Sequence, residues 1–212
     1  MREKTKFDFF KVQGWDDVYE ATCTTIHKKG IDGKELSPSW KKAMFKSEHS
    51  PIRELTIKFR IAEVMRWVAG QLVRSKNEHY MSTGRSDRGN VPRSEQTLEN
   101  IHSLMESKNA QHIIDTSKKR LCIGCVSKET RELWEDVVTR LSTEEPELAF
   151  YCVPNCVYRN GCPETWANCS HFNNFKNYVK ENSKNDDEAL QILSDIDSRY
   201  DEYHSWRKGG SV

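Results

Sequence analysis

HSPIRELTIKFRIAEVMRWVAGQLVRSKNEHYMSTGRSDR, residues 49–88, carries the strongest periodic signal in the chain. Leu55, Ile57, Phe59 and Ile61 alternate with Thr56, Lys58 and Arg60. Period two with one apolar side predicts a half-buried strand. Val64, Trp67, Val68 and Leu72 then recur at helical spacing, which predicts a helix over 63–74. Ser50-Pro51 closes whatever precedes the strand, because a residue ahead of proline avoids helical geometry. The helix delivers Gln71, Arg74 and Lys76 to its C-terminal end, and the polar, glycine-bearing residues 77–94 read as a functional loop.

Outward from this stretch, residues 6–12 predict an opening strand, 16–26 a short helix, 28–34 a turn region and 40–45 a further helix. On the C-terminal side, 97–105, 109–120 and 127–141 read as helical. Leu133, Val137 and Leu141 form the buried stripe of the last of these. Residues 150–172, rich in Cys, Pro, Asn and Gly, break the pattern. A charged helix is expected over 187–203, with Leu190, Leu193, Ile196 and Tyr200 on one side. The expected fold class is α+β, mostly helical, with a small antiparallel sheet. The expected organisation is a catalytic domain over 1–145 with a Cys-rich segment and C-terminal helix over 146–212 packed on it.

Charged residues are 31% of the chain and apolar ones 36%, too polar for a membrane protein. No stretch approaches the roughly 20 apolar residues of a membrane-spanning helix. The basic start MREKTKFDFF lacks the apolar core of a signal peptide, so a cytoplasmic location is expected. With a net charge of +1, an anionic partner has to be held by local clusters of Lys and Arg.

Thr83-Gly84-Arg85, with Arg88 just beyond, supplies such a cluster together with Arg74 and Lys76. A guanidinium fork matches phosphate geometry, a hydroxyl adds a hydrogen bond, and glycine admits close backbone approach. The plain alternative is a solvated charged face with a polar turn. On composition alone that alternative is the stronger.

The stretch resembles the signature region of flavin-dependent thymidylate synthases, which reads Arg-His-Arg, seven residues, then Ser-Gly-Arg. Arg74-Ser75-Lys76 stands at the triplet and Thr83-Gly84-Arg85 at the Ser-Gly-Arg, with one residue fewer between them. Ser50-Pro51, the strand after it and Gln71 fall at the family's upstream places. Asn109-Ala110 and Arg120, eleven residues on, match its downstream block, and Glu129 follows suitably. The resemblance covers about residues 20–135. Ser75, Lys76 and Thr83 depart from the pattern, and the connection from Arg85 to Asn109 is short, so that Arg93 is the available substitute for an Arg usually supplied there. The sequence resembles a compact branch of the family associated with bacteriophages and their hosts.

The resemblance implies reductive methylation of dUMP to dTMP, with FAD as cofactor and NADPH and methylenetetrahydrofolate as co-substrates. It implies a homotetramer with active sites shared between subunits. Arg120 and Arg85 are the implied catalytic residues. Gln71, Thr83, Gly84, Arg85 and Arg120 would bind the nucleotide, with Arg85 on its phosphate and Arg120 on the uracil carbonyl. Ser50, Arg74, Ser75, Lys76, His79 and Asn109 would contact FAD. His49 and His79 read equally as ordinary surface histidines. Hydroxymethylation of another pyrimidine nucleotide fits the same residues.

Seven cysteines, an odd number, argue against a complete disulfide framework. Four of them fall in CVPNCVYRNGCPETWANCSH, residues 152–171, and Cys122-x-x-Cys125 lies next to Arg120. Cys122, Cys156, Cys162 and Cys169 form the preferred metal-ligand set, for Zn²⁺ or an iron–sulfur cluster, with Cys152 as the main substitute. The competing reading is buried free thiols. Tyr158, Arg159, Trp166 and Phe172 also permit a metal-knotted module that grips single-stranded nucleic acid, against which the near-neutral charge weighs.

Overall fold

A computed structural model describes residues 4–74, 78–82, 92–165 and 169–209. Ser75, Lys76, Thr83, Gly84, Arg85, Arg88 and Trp166 lie outside the described residues. The chain divides into two compact units. The first is the chain up to Glu35 with Ser50–Ile113, and the second is Leu36–His49 with the chain from Ile114 on. The division expected at residue 145 follows sequence content, whereas the compact units divide within a helix.

The first unit is built on a four-stranded antiparallel sheet of order β1-β2-β4-β3. Its strands are β1 (Phe7–Gln13), β2 (Thr56–Met65), β3 (Glu78–Met81) and β4 (Ile101–Asn109). Helix α1 (Trp15–Thr25) packs on the short 3₁₀ turn Ser50–Glu54. Gly14 makes this possible: its φ is +107°, and a Cβ there would stand 2.5 Å from the Glu54 carbonyl oxygen.

Ile57, Phe59 and Ile61 of β2 are fully buried, as their alternation requires. The register to β4 shifts between Ile61 and Val64. That irregularity resets the phase so that Val64, three residues on, is buried again. The strand therefore runs on to Met65. The helix expected over 63–74 shortens to Arg66–Leu72, which is α3 in chain order.

The expected helix over 97–105 is strand β4 instead. Its inward side is His102, Leu104, Glu106 and Lys108, which offers one apolar residue and hides the period of two. Strand β3 falls inside the segment read as loop.

The second unit is helical. It holds α2 (Pro38–Lys46), most of α4 (Ala110–Arg120), α5 (Lys128–Glu144), α6 (Pro146–Phe150), α7 (Asn155–Tyr158), α8 (His171–Asn182), α9 (Asp186–Ser194) and α10 (Ile196–Lys208). Leu133, Trp134, Val137 and Leu141 form the buried stripe of α5. Trp134 Nε1 donates to Ser117 Oγ at 2.9 Å inside the core. Phe175, Tyr203 and Trp206 pack as an aromatic cluster with centroids 5.5–6.0 Å apart. The single helix expected over 187–203 is two, because Asp195 is extended and caps α10. Its Oδ1 accepts from the Ser198 amide at 2.9 Å and from the Ser198 hydroxyl at 2.8 Å.

Candidate functional site

The sheet unit gathers one group of expected site residues. Ser50 opens the 3₁₀ turn ahead of β2 and is exposed, with Pro51 and Ile52 buried behind it. Gln71 is half-buried in α3, whose packed side is Val68, Ala69 and Leu72. Arg74 is exposed just past the helix end. His79 is exposed on β3, where its register partner on β4 is Glu106. Asn109 ends β4 and caps α4: its Oδ1 accepts from the His112 amide at 2.9 Å. The remaining members, Ser75, Lys76, Thr83, Gly84 and Arg85, are outside the described residues.

Sequence periodicity misses a pair in this unit. Lys108 Nζ stands 3.1 Å from Glu106 Oε2, and neither side chain is exposed. Two charges out of water are tolerated only when they are closely answered. The available signal is Glu-x-Lys beside Leu104, which puts both charges on the same side of a strand as a core leucine.

The helical unit gathers the second group. Lys118, Lys119 and Arg120 form the last turn of α4, where cations offset the negative end of the helix dipole. Lys118 is tied to Glu48 at 3.0 Å and to Asp115 at 3.1 Å, and lies 3.7 Å over the Tyr158 ring. Arg120 lines a cavity of about 250 Å³ whose walls include Cys122, Cys125, Cys156, Cys162 and Cys169. All four cysteines of the preferred ligand set thus face one space, with Cys125 as a fifth. Cys152, the expected substitute, is not on this wall: it is buried, and its thiol donates to the Leu148 carbonyl at 3.5 Å.

The thiols affect one another. Burial, then the neighbouring Cys122 and Cys162, pushes Cys156 up to about 12. Local desolvation, then Cys122, pushes the exposed Cys125 up to about 11, and the Cys122 thiol is within hydrogen-bond reach of it. Such thiols stay protonated near neutral pH and are poor nucleophiles. His171, also on the wall, is held well below the usual imidazole value, at about 4, by burial and then by Arg207 and Arg131. Among the described residues, no three His, Cys, Asp or Glu side chains stand close enough together to hold one metal ion. The expected ligands surround a space and do not converge on a point.

No helix among the described residues is long and apolar enough to cross a membrane. No family model matches the chain, and no curated protein matches it. Among solved structures, the chain is similar to a flavin-dependent thymidylate synthase from Helicobacter pylori complexed with FAD and dUMP. The TM-score is 0.55 at 12% identity, over 71% of this chain and 100% of that one. A UMP/dUMP methylase, PolB, from Streptomyces cacaoi, bound with 5-Br dUMP, gives a TM-score of 0.48 at 12% identity, over 68% and 94%. The fold is therefore α+β of the flavin-dependent thymidylate synthase kind, mostly helical with a small antiparallel sheet.

Proposed function

We propose that the chain is a flavin-dependent enzyme that methylates dUMP to dTMP, with methylenetetrahydrofolate and NADPH as co-substrates, and that it works as a homotetramer. One observation carries this reading: a fold similarity that spans the whole of a flavin-dependent thymidylate synthase coincides with three sequence blocks of that family in their proper order.

Arg85 binds the dUMP phosphate through its guanidinium fork, with Thr83 and Gly84 around it. Gln71, on a helix fixed by its packed side, orients the nucleotide. Arg120 donates to the uracil carbonyl and stabilises the negative charge that develops on the ring. The described members of the flavin set suit a dinucleotide: Ser50, Arg74 and His79 are exposed polar groups of the sheet unit. Asn109 has its Oδ1 committed to the His112 amide, so its Nδ2 is the group that serves the cofactor. Ser75 and Lys76 complete the set. When bound, FAD supplies the hydride relay from NADPH. The chain's own part is to bind, orient and supply charge, and the thiols of the helical unit are not required as nucleophiles.

The test is binding by the purified full chain. It is expected to retain FAD, to lose much of it in Lys76→Ala, and to convert dUMP to dTMP with both co-substrates. Arg85→Ala is expected to weaken dUMP binding by about tenfold to a hundredfold, the worth of a charge-assisted contact. A folded Arg85→Ala protein that binds dUMP normally removes Arg85 from the site. Absence of flavin binding both with and without oxygen overturns the reading and favours the nucleic-acid-binding module.

A further inference from the structure

Five of the seven cysteines line one cavity, and the proposed nucleotide chemistry uses none of them. They come from three places in the chain: the turn after α4 (Cys122, Cys125), helix α7 (Cys156) and the segment leading into α8 (Cys162, Cys169). We propose that this cavity holds an iron–sulfur cluster, ligated by Cys122, Cys156, Cys162 and Cys169, with Cys125 beside them. The inference rests on the helical unit alone and does not depend on the proposed nucleotide chemistry.

Three observations lead to a cluster in preference to a single ion, a disulfide or inert thiols. Tetrahedral zinc with Zn–S bonds of about 2.3 Å draws its four sulfurs to within about 4 Å of one another. The described thiols form no such group; together with other side chains they line a cavity of about 250 Å³. A cluster of several iron and sulfide atoms fills space and is ligated from its corners, which is the arrangement of thiols around a void.

Cys122 and Cys125 are free thiols, and a disulfide between them would leave Cys156, Cys162 and Cys169 around the same space without a role. Inert buried thiols resemble Cys152, packed against a carbonyl in the core. Cys125 and Cys162 are instead exposed, where a free thiol gains nothing from burial. Cys162 and Cys169 also line a second, adjoining cavity of about 390 Å³ with Asn160, Phe172 and Lys176, so the ligand wall can be reached from two sides.

The charges agree. Four thiolates around a cluster leave it anionic, and the wall carries Lys118, Lys119 and Arg120 against Glu164, with Lys118 shared with Glu48 and Asp115. As the Fe–S bonds form, each ligating thiol gives up its proton to solvent. Arg199 steadies one ligand position by donating to the carbonyls of Val157 and Tyr158, directly after Cys156.

The full chain, purified without oxygen and reconstituted with ferric iron, sulfide and a thiol reductant, is the test object. Iron and acid-labile sulfide are expected in equal amounts, about two to four of each per chain. These assays do not respond to flavin, so their outcome is separate from that of the dUMP reading. Cys162→Ser, at an exposed position, is expected to keep the native far-ultraviolet circular dichroism and lose most of the iron. Cys152→Ser and Cys23→Ser are expected to keep it. Three results overturn the proposal: a folded wild type with less than about one iron per chain, stoichiometric zinc without sulfide, or full iron in Cys162→Ser.

Discussion

In the sheet unit, the buried charges of Glu106 and Lys108 answer each other across 3.1 Å, two residues apart on a single strand. In the helical unit, Arg199 is buried nearly as deeply, at 4% exposure, but main-chain carbonyls hold it. Its Nε donates to Val157 at 2.8 Å and its Nη2 to Tyr158 at 3.2 Å, and its Nη1 donates to Leu193. The ion pair joins two residues of one strand. The guanidinium ties α7 and the end of α9 to α10, so its loss reaches the cysteine cavity. Buried charge alone does not indicate a site. What it holds in place decides whether the chemistry depends on it.

The largest expected effect is in the sheet unit. Lys108→Met deprives the buried Glu106 of the ammonium 3.1 Å away, at a cost of about 3–5 kcal/mol in urea unfolding. Adding Glu106→Gln is expected to restore most of that loss, since a neutral pair removes the stranded charge. Losses that simply add in the double variant would break the idea that the two charges answer each other.

Arg199→Lys comes next, at about 2–4 kcal/mol, because one ammonium cannot reach three carbonyls set around a guanidinium. Its second readout separates the two units. Labelling of the buried Cys156 thiol is expected to accelerate at least tenfold, while Lys108→Met leaves it near wild type at matched stability. Equal labelling rates in both variants would remove Arg199 from any role in shaping the cavity.

The same contrast explains how much of the molecule is legible in its sequence. Strand β2 is plain because Ile57, Phe59 and Ile61 are all apolar and all on one face. Strand β4 is not, because His102, Glu106 and Lys108 occupy its inner side, where polar partners answer them in ways no hydropathy pattern records. The break at Asp195 is hidden inside a continuous helical stripe, where one capping carboxylate outweighs the periodicity. The cysteine cavity is largely legible from the crowding of thiols in residues 152–171. The exchange of Cys152 for Cys125 is not, since spacing cannot tell which face of a short turn looks into a void.

A smaller effect is expected where the sheet unit caps a helix. Asn109→Ala removes the acceptor for the His112 amide and is expected to cost about 1 kcal/mol. Asn109→Asp keeps the cap, so its stability is expected to match wild type. Under the proposed function, Asn109→Asp still weakens FAD retention, because a carboxylate has no Nδ2 donor to offer. Unchanged flavin content in Asn109→Asp would reduce Asn109 to a helix cap.

The smallest effect tests whether main-chain contacts in the helical unit carry a pH signature. His204 Nε2 lies 2.8 Å from the Phe150 carbonyl oxygen, which requires that this nitrogen bear the proton. Burial holds the imidazole below its ordinary value, opposed by that hydrogen bond and assisted by Lys208 and Arg207. A histidine whose folded pKa is depressed is neutral when folded but takes up a proton more readily when unfolded. Its contribution is therefore intact above the unfolded value near 6.5 and is lost as pH falls through that value toward the folded one. Stability by urea unfolding is expected to decline between pH 7 and pH 5, more steeply in wild type than in His204→Gln. His171 titrates in both proteins, so only the difference between the two slopes reports on His204. Parallel slopes would show that the Phe150 contact is made equally well by the charged ring, and the helical unit would then share the sheet unit's tolerance of charge.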